Sequence, residues 1–101
     1  MRKVSEAVCK AFKNREYKTI GNTRAAGDYL LLHGNIIATR MNEGIRVTSA
    51  GWQTSTTKDR LNSLFRVMGI NASISQREYV WYLSDSTGVR VMDGKECYDV
   101  K

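Results

Sequence analysis

A chain of 101 residues with sixteen Lys and Arg against ten Asp and Glu, a formal charge of +6, has room for one domain spanning 1–101 and one core. It has no room for a catalytic domain joined to a cofactor domain. Hydrophobic residues at 42% and charged residues at 26% make a foldable composition and exclude a disordered chain. Proline is absent, which removes PxxP ligand segments and rigid Pro-rich linkers.

Taken in chain order, Val4, Ala7, Val8 and Ala11 share one side of a 3.6-residue period, with Phe12 at its edge, which predicts a helix over about 2–13. Its solvated side carries Arg2, Lys3, Lys10 and Lys13 with Glu6. From Tyr17 the pattern becomes extended, and Gly21-Asn22 and Gly27-Asp28 supply turns. Asp28 to His33 and Ile36 to Arg40 read as a hairpin closed by Gly34-Asn35. Asn42-Glu43-Gly44 turns the chain into Ile45 to Thr48, where Ile45 and Val47 share a face.

After Gly51, the run Thr54 to Asp59 holds several N-cap residues, with Thr56 and Asp59 at capping-box spacing. Leu61, Leu64, Phe65 and Met68 form the apolar stripe of a second helix over about 57–68, ended by Gly69. One long strand from Ile74 to Leu83, a turn at Asp85 to Gly88, a strand from Val89 to Met92 and a last strand near Cys97 to Val100 complete the chain. The expected architecture is α+β: a mainly antiparallel sheet of about five to six strands with two helices packed on one face.

Apolar runs such as Tyr29 to Leu32 are far shorter than the roughly 20 residues of a membrane span. Glu6 and Lys10 interrupt what would be the apolar core of a signal peptide, so a retained, cytosolic protein is expected. Cys9 and Cys97 stand at opposite ends with no CxxC spacing and one histidine, His33, which supports neither a metal nor a cofactor. GxSxG, Walker-type and HExxH motifs are all absent from the sequence, and the expectation is a protein that is not an enzyme.

Three groups of residues remain as candidates for binding. Residues 1–24 hold seven Lys and Arg against two Glu, a local +5, while the other 77 residues hold nine against eight. Arg2, Lys3, Lys10, Lys13, Arg15 and Lys18 are therefore candidate phosphate ligands for nucleic acid, or else a solubilising surface. Arg77, Tyr79 and Trp81 alternate onto one face of the long strand. They could offer stacking to unpaired bases or to a partner, as could Trp52, or could pack in the core. Thr56, Thr57, Lys58 and Arg60 at a helix start could hold an anion, or Thr56 and Thr57 could simply cap the helix.

The ordered set Leu32 to Ala38 with HGN and IA, Gly44 to Trp52 ending in AGW, Thr56 to Asn62 with TTKxRLN, and Tyr79 to Leu83 ending in WYL resembles a group of small proteins of tailed bacteriophages. The resemblance covers about residues 28–83 and leaves the basic helix outside it. It implies a setting, a phage accessory protein acting in the infected cell on nucleic acid or on a host protein, defence machinery included. It assigns no residue a role.

Overall fold

The computed structural model describes residues 3–101, with side chains from Ser5 onward. Helix α1 spans Lys3–Lys13. Strands β1 (Lys18–Ile20), β2 (Thr23–Ala26), β3 (Tyr29–Leu32), β4 (Asn35–Arg40) and β5 (Ile45–Val47) follow. After α2 (Ser55–Met68) come β6 (Ser73–Arg77), β7 (Val80–Asp85), β8 (Gly88–Val91) and β9 (Tyr98–Val100). The α+β architecture is as expected. Among the described residues the main sheet has the expected six strands, in the order β1-β2-β3-β4-β5-β9, and the three remaining strands form a separate sheet β6-β7-β8; all pairs are antiparallel.

Both helices lie on one face of the larger sheet, α1 against β1, β2 and β3, and α2 against β4 and α1. The buried side of α1 is turned from the expected stripe. Phe12 and Cys9 are fully buried and Ala7 only half, because α1 is wedged between the sheet and α2 rather than laid on a single surface. Its end is a Schellman turn, with Arg15 N–H donating to the Phe12 carbonyl at 3.1 Å and Glu16 N–H to the Ala11 carbonyl at 2.8 Å. Arg15 takes the left-handed position at φ 59°. Arg40 closes the same end: its guanidinium lies 4.5 Å over the Phe12 ring, donates to the Phe12 carbonyl and stands 3.3 Å from Asp28.

Helix α2 begins two residues earlier than expected. Thr54, not Thr56, is the N-cap, its hydroxyl accepting from Thr57 N–H at 3.2 Å, and Gly69 ends the helix at φ 71° as read from the sequence. Asn62 then binds the backbone of Ile74 in both directions, accepting from its N–H at 2.7 Å and donating to its carbonyl at 3.0 Å. In this way a helix side chain sets where β6 starts.

Two hairpins correct the expected turns. The β3–β4 loop is His33-Gly34, both at positive φ (52° and 81°), one residue before the expected Gly34-Asn35. The expected strand from Ile74 to Leu83 is instead two strands joined by a tight turn at Glu78-Tyr79, with φ 49° and 69°. Neither residue favours that turn. Burial decides it: the fold places Ile74, Trp81 and Leu83 together in one core, with Gln76 opposite Trp81 across the hairpin.

The β7–β8 turn is held by Asp85, which accepts from the Thr87 hydroxyl at 2.5 Å, from Thr87 N–H at 2.9 Å and from Arg90 at 2.9 Å. The Thr87 hydroxyl first, then the Thr87 N–H, with Arg90 adding attraction, hold its carboxyl below the ordinary carboxylate range. Asp99 is lowered in the same direction by its hydrogen bond from Arg46, at 2.7 Å. A folded-state pKa below the unfolded value contributes stability that is fully present above the unfolded carboxylate pKa and is lost as pH falls through the folded one. The thermal midpoint is therefore expected to drop below about pH 4, and Asp85→Asn should flatten part of that acid limb. Overlaying acid limbs for parent and variant would show that Asp85 is not a contributor.

Candidate functional site

The cations of the first 24 residues are placed by α1 and by the edge of the larger sheet. Lys10 and Lys13 lie on the exposed side of α1, Arg15 in its terminal turn, Lys18 on the edge strand β1, and Arg24 on the side of β2 opposite buried Thr23 and Ala25. Arg2 and the Lys3 side chain lie outside the described residues. Arg66, which sequence reasoning did not single out, adds an exposed cation from α2 close enough to α1 to act on Glu6.

Charge pairing divides the cations outside this segment, where Lys58, Arg66, Arg77 and Lys95 form no ion pair among the described residues. Arg40, Arg46, Arg60, Arg90 and Lys101 are neutralised by Asp28, Asp99, Asp59, Asp85 and Glu43. In the basic segment Lys10 pairs with Glu6 at 2.9 Å, whose carboxyl is held down first by that hydrogen bond. Lys13, Arg15, Lys18 and Arg24 form no ion pair among the described residues. An uncompensated cation keeps its full attraction for an external phosphate, whereas a paired one must first give up its carboxylate.

The expected anion site at the start of α2 does not assemble. Thr57 is buried and shares the cap with Thr54. Arg60 is turned inward, 6% exposed, with Nε donating to Thr23 Oγ1 at 2.8 Å and Nη1 to Ser5 Oγ at 2.5 Å and Asp59 Oδ2 at 2.7 Å. Thr56 and the half-buried Lys58 are left without it. Cys9 belongs to the same buried region, its thiol donating to the Arg60 carbonyl at 3.7 Å, and burial pushes it up to about 12. A thiol so held is not a nucleophile.

The expected aromatic strip on one strand is also absent. Trp81 is 1% exposed and belongs to the core, while Tyr79, 92% exposed, stands at a hairpin tip. Arg77 ends β6 opposite Val80. The alternation that aligned these residues in sequence is broken by the turn between them.

Trp52 is 62% exposed beside a cleft of about 460 Å3 between the His33 turn, the Ser49–Trp52 turn and the start of α2. Leu32 and Ile37 supply apolar walls, with His33, Asn35, Ser49 and Thr54 as polar groups. The Trp52 turn is fastened on both sides, by Gly51 N–H to the Gly94 carbonyl at 2.7 Å and Gln53 Nε2 to the Met92 carbonyl at 2.7 Å. The segments with HGN, AGW and TTK, far apart in sequence, thus meet around one opening. No group of His, Cys, Asp and Glu able to hold a metal, and no helix long and apolar enough to cross a membrane, occurs among the described residues.

No curated protein and no solved structure matches the chain. The family model of the Kyanoviridae Gp96 protein matches it over residues 1–99. The matched span is longer than the 28–83 read from motifs and includes the basic helix. On that match the chain belongs to the Kyanoviridae Gp96 protein family, a family of phage proteins.

Proposed function

We propose that this phage protein is a non-enzymatic nucleic-acid-binding protein of the infected cell's cytosol, holding phosphates with Lys13, Arg15, Lys18 and the neighbouring cations of α1. The observation that carries this reading is the succession of exposed Lys13, Arg15 and Lys18, without an ion pair among the described residues, on α1, its terminal turn and the helix side of edge strand β1, with Arg24 on the other side of the same edge. Cations in such a patch release counterions from a polyanion, so affinity should fall steeply with salt. Titration of labelled single- and double-stranded DNA and RNA tests this. Lys13→Ala and Lys18→Ala are each expected to lower the slope of log affinity against log salt by about one, at either duplex or single strand. Absence of binding at low salt would remove the reading.

A second reading is favoured by Trp52. An aromatic side chain exposed on a fastened turn beside a cleft is a suitable anchor for a protein partner, such as a host protein that the phage inhibits or redirects. A stoichiometric partner recovered from nuclease-treated host lysate, and lost with Trp52→Ala but not with Lys18→Ala, would favour it.

A further inference from the structure

The larger sheet carries its helices on one face only. Along β2 and β3, Thr23, Ala25, Leu30 and Leu32 point into the core, and Arg24, Ala26, Tyr29 and Leu31 alternate onto the other face. Ile36, opposite Leu31, continues that face and is 43% exposed. Tyr29 is 44% exposed and sits opposite Ala26. Tyr17, 73% exposed, precedes β1, and its hydroxyl lies 3.2 Å from where a Cβ on Gly27 would stand, so its ring leans over the β2–β3 turn. The two tyrosines, Tyr17 just before β1 and Tyr29 at the start of β3, therefore flank a floor made by the Ala26 methyl and the bare Gly27.

Charge is graded across this face. Toward β1 and β2 lies Arg24, which sits opposite Thr19 and forms no ion pair among the described residues, whereas Lys18, opposite Ala25, belongs to the helix side of the sheet. Toward β5 and β9 the face ends in Arg46 and Asp99, which neutralise each other through bonds of 2.7 and 3.2 Å. Exposed aromatic rings beside an uncompensated guanidinium match a ligand that alternates flat, unpaired rings with phosphates. A duplex keeps its base faces stacked and offers only the phosphates.

We infer that the uncovered face at Tyr17 and Tyr29, with Arg24 beside it, is a stacking platform for the bases of single-stranded nucleic acid. The inference rests on the nucleic-acid reading above, and specifies which form of nucleic acid is taken and where the bases lie.

The test uses the full chain and three fluorescein-labelled probes of matched charge: a homopyrimidine single strand, the same backbone without bases, and a duplex. The parent should prefer the base-bearing single strand to the abasic one. Tyr29→Ala and Tyr17→Ala should each weaken it by roughly 5- to 150-fold, with an unchanged salt slope and unchanged affinity for the abasic and duplex probes. Tyr29→Phe and Tyr17→Phe should retain binding, because the ring is kept. Equal affinity of the parent for base-bearing and abasic strands, a reading that needs no variant, would overturn the platform and leave an electrostatic binder. So would alanine variants, folded by thermal unfolding, that bind like the parent. Failure of the parent to bind any probe at low salt would remove both the platform and the reading it rests on.

Discussion

Arg60→Ala is expected to destabilise the protein by about 3–5 kcal/mol, read as the shift in urea midpoint at constant m-value. The guanidinium is 6% exposed and joins three elements: Thr23 on β2, Ser5 on α1 and Asp59 on its own helix. Ser5 donates in turn to Asp59, so the four side chains form one closed polar network under α1. Truncation strands the Asp59 carboxylate, 23% exposed, beside two hydroxyls that have lost their donor. Arg60→Lys should recover little, because an ammonium cannot reach Thr23 and Ser5 through a planar fork. Arg60→Met combined with Asp59→Leu should be much milder than Arg60→Ala, since an apolar pair leaves no buried charge. A loss below about 1 kcal/mol for Arg60→Ala would mean that solvent already screens the network as it screens a surface pair.

The same residue shows where sequence reasoning reaches its limit. A basic side chain after a run of hydroxyls reads as an anion ligand, and composition records its charge without recording its direction. The arrival of Ser5 from 55 residues away and Thr23 from 37 supplies the distant acceptors that turn Arg60 inward. Local signals were legible because local sterics decide them: Gly69 marks the left-handed end of α2, and Leu61, Leu64 and Phe65 mark its buried side. The β6–β7 turn was not legible, since Glu78 and Tyr79 are poor residues for positive φ and the turn is imposed by burying Trp81 and Leu83. A continuous strand of ten residues, about twice the usual length, was the one available warning. For the candidate site, the cationic segment could be located from sequence, but pairs such as Arg46 with Asp99 and Lys101 with Glu43, which decide which cations are compensated, join residues distant along the chain. Tyr29 was legible as a strand residue. That its face carries no helix is a property of the packed fold.

Gly44→Ala is expected to cost about 2–5 kcal/mol, combining about 1–2 for a side chain in the left-handed region with about 1–3 for overpacking. Gly44 turns the chain from β4 into β5 at φ 82°, and its carbonyl accepts from Met41 N–H at 3.1 Å. A Cβ there would stand 2.0 Å from the Val100 carbonyl oxygen and 2.8 Å from Lys101 Cα. Both are backbone atoms, so no side-chain rotation relieves the contact. What can move is β9, a three-residue strand at the edge of the sheet, paired among the described residues with β5 alone. Its displacement would uncover Val100 and separate Asp99 from Arg46 and from the Arg90 hydrogen bond to its carbonyl. Amide exchange should then accelerate in β5 and β9 before it does in β2 and β3. Gly21→Ala is the control, because φ is 59° there and nothing lies within 4 Å of the added methyl. It should cost only the about 1–2 kcal/mol of backbone strain. If the two glycine variants lost equal stability, the clash with Val100 would carry no energy, and strain alone would account for Gly44.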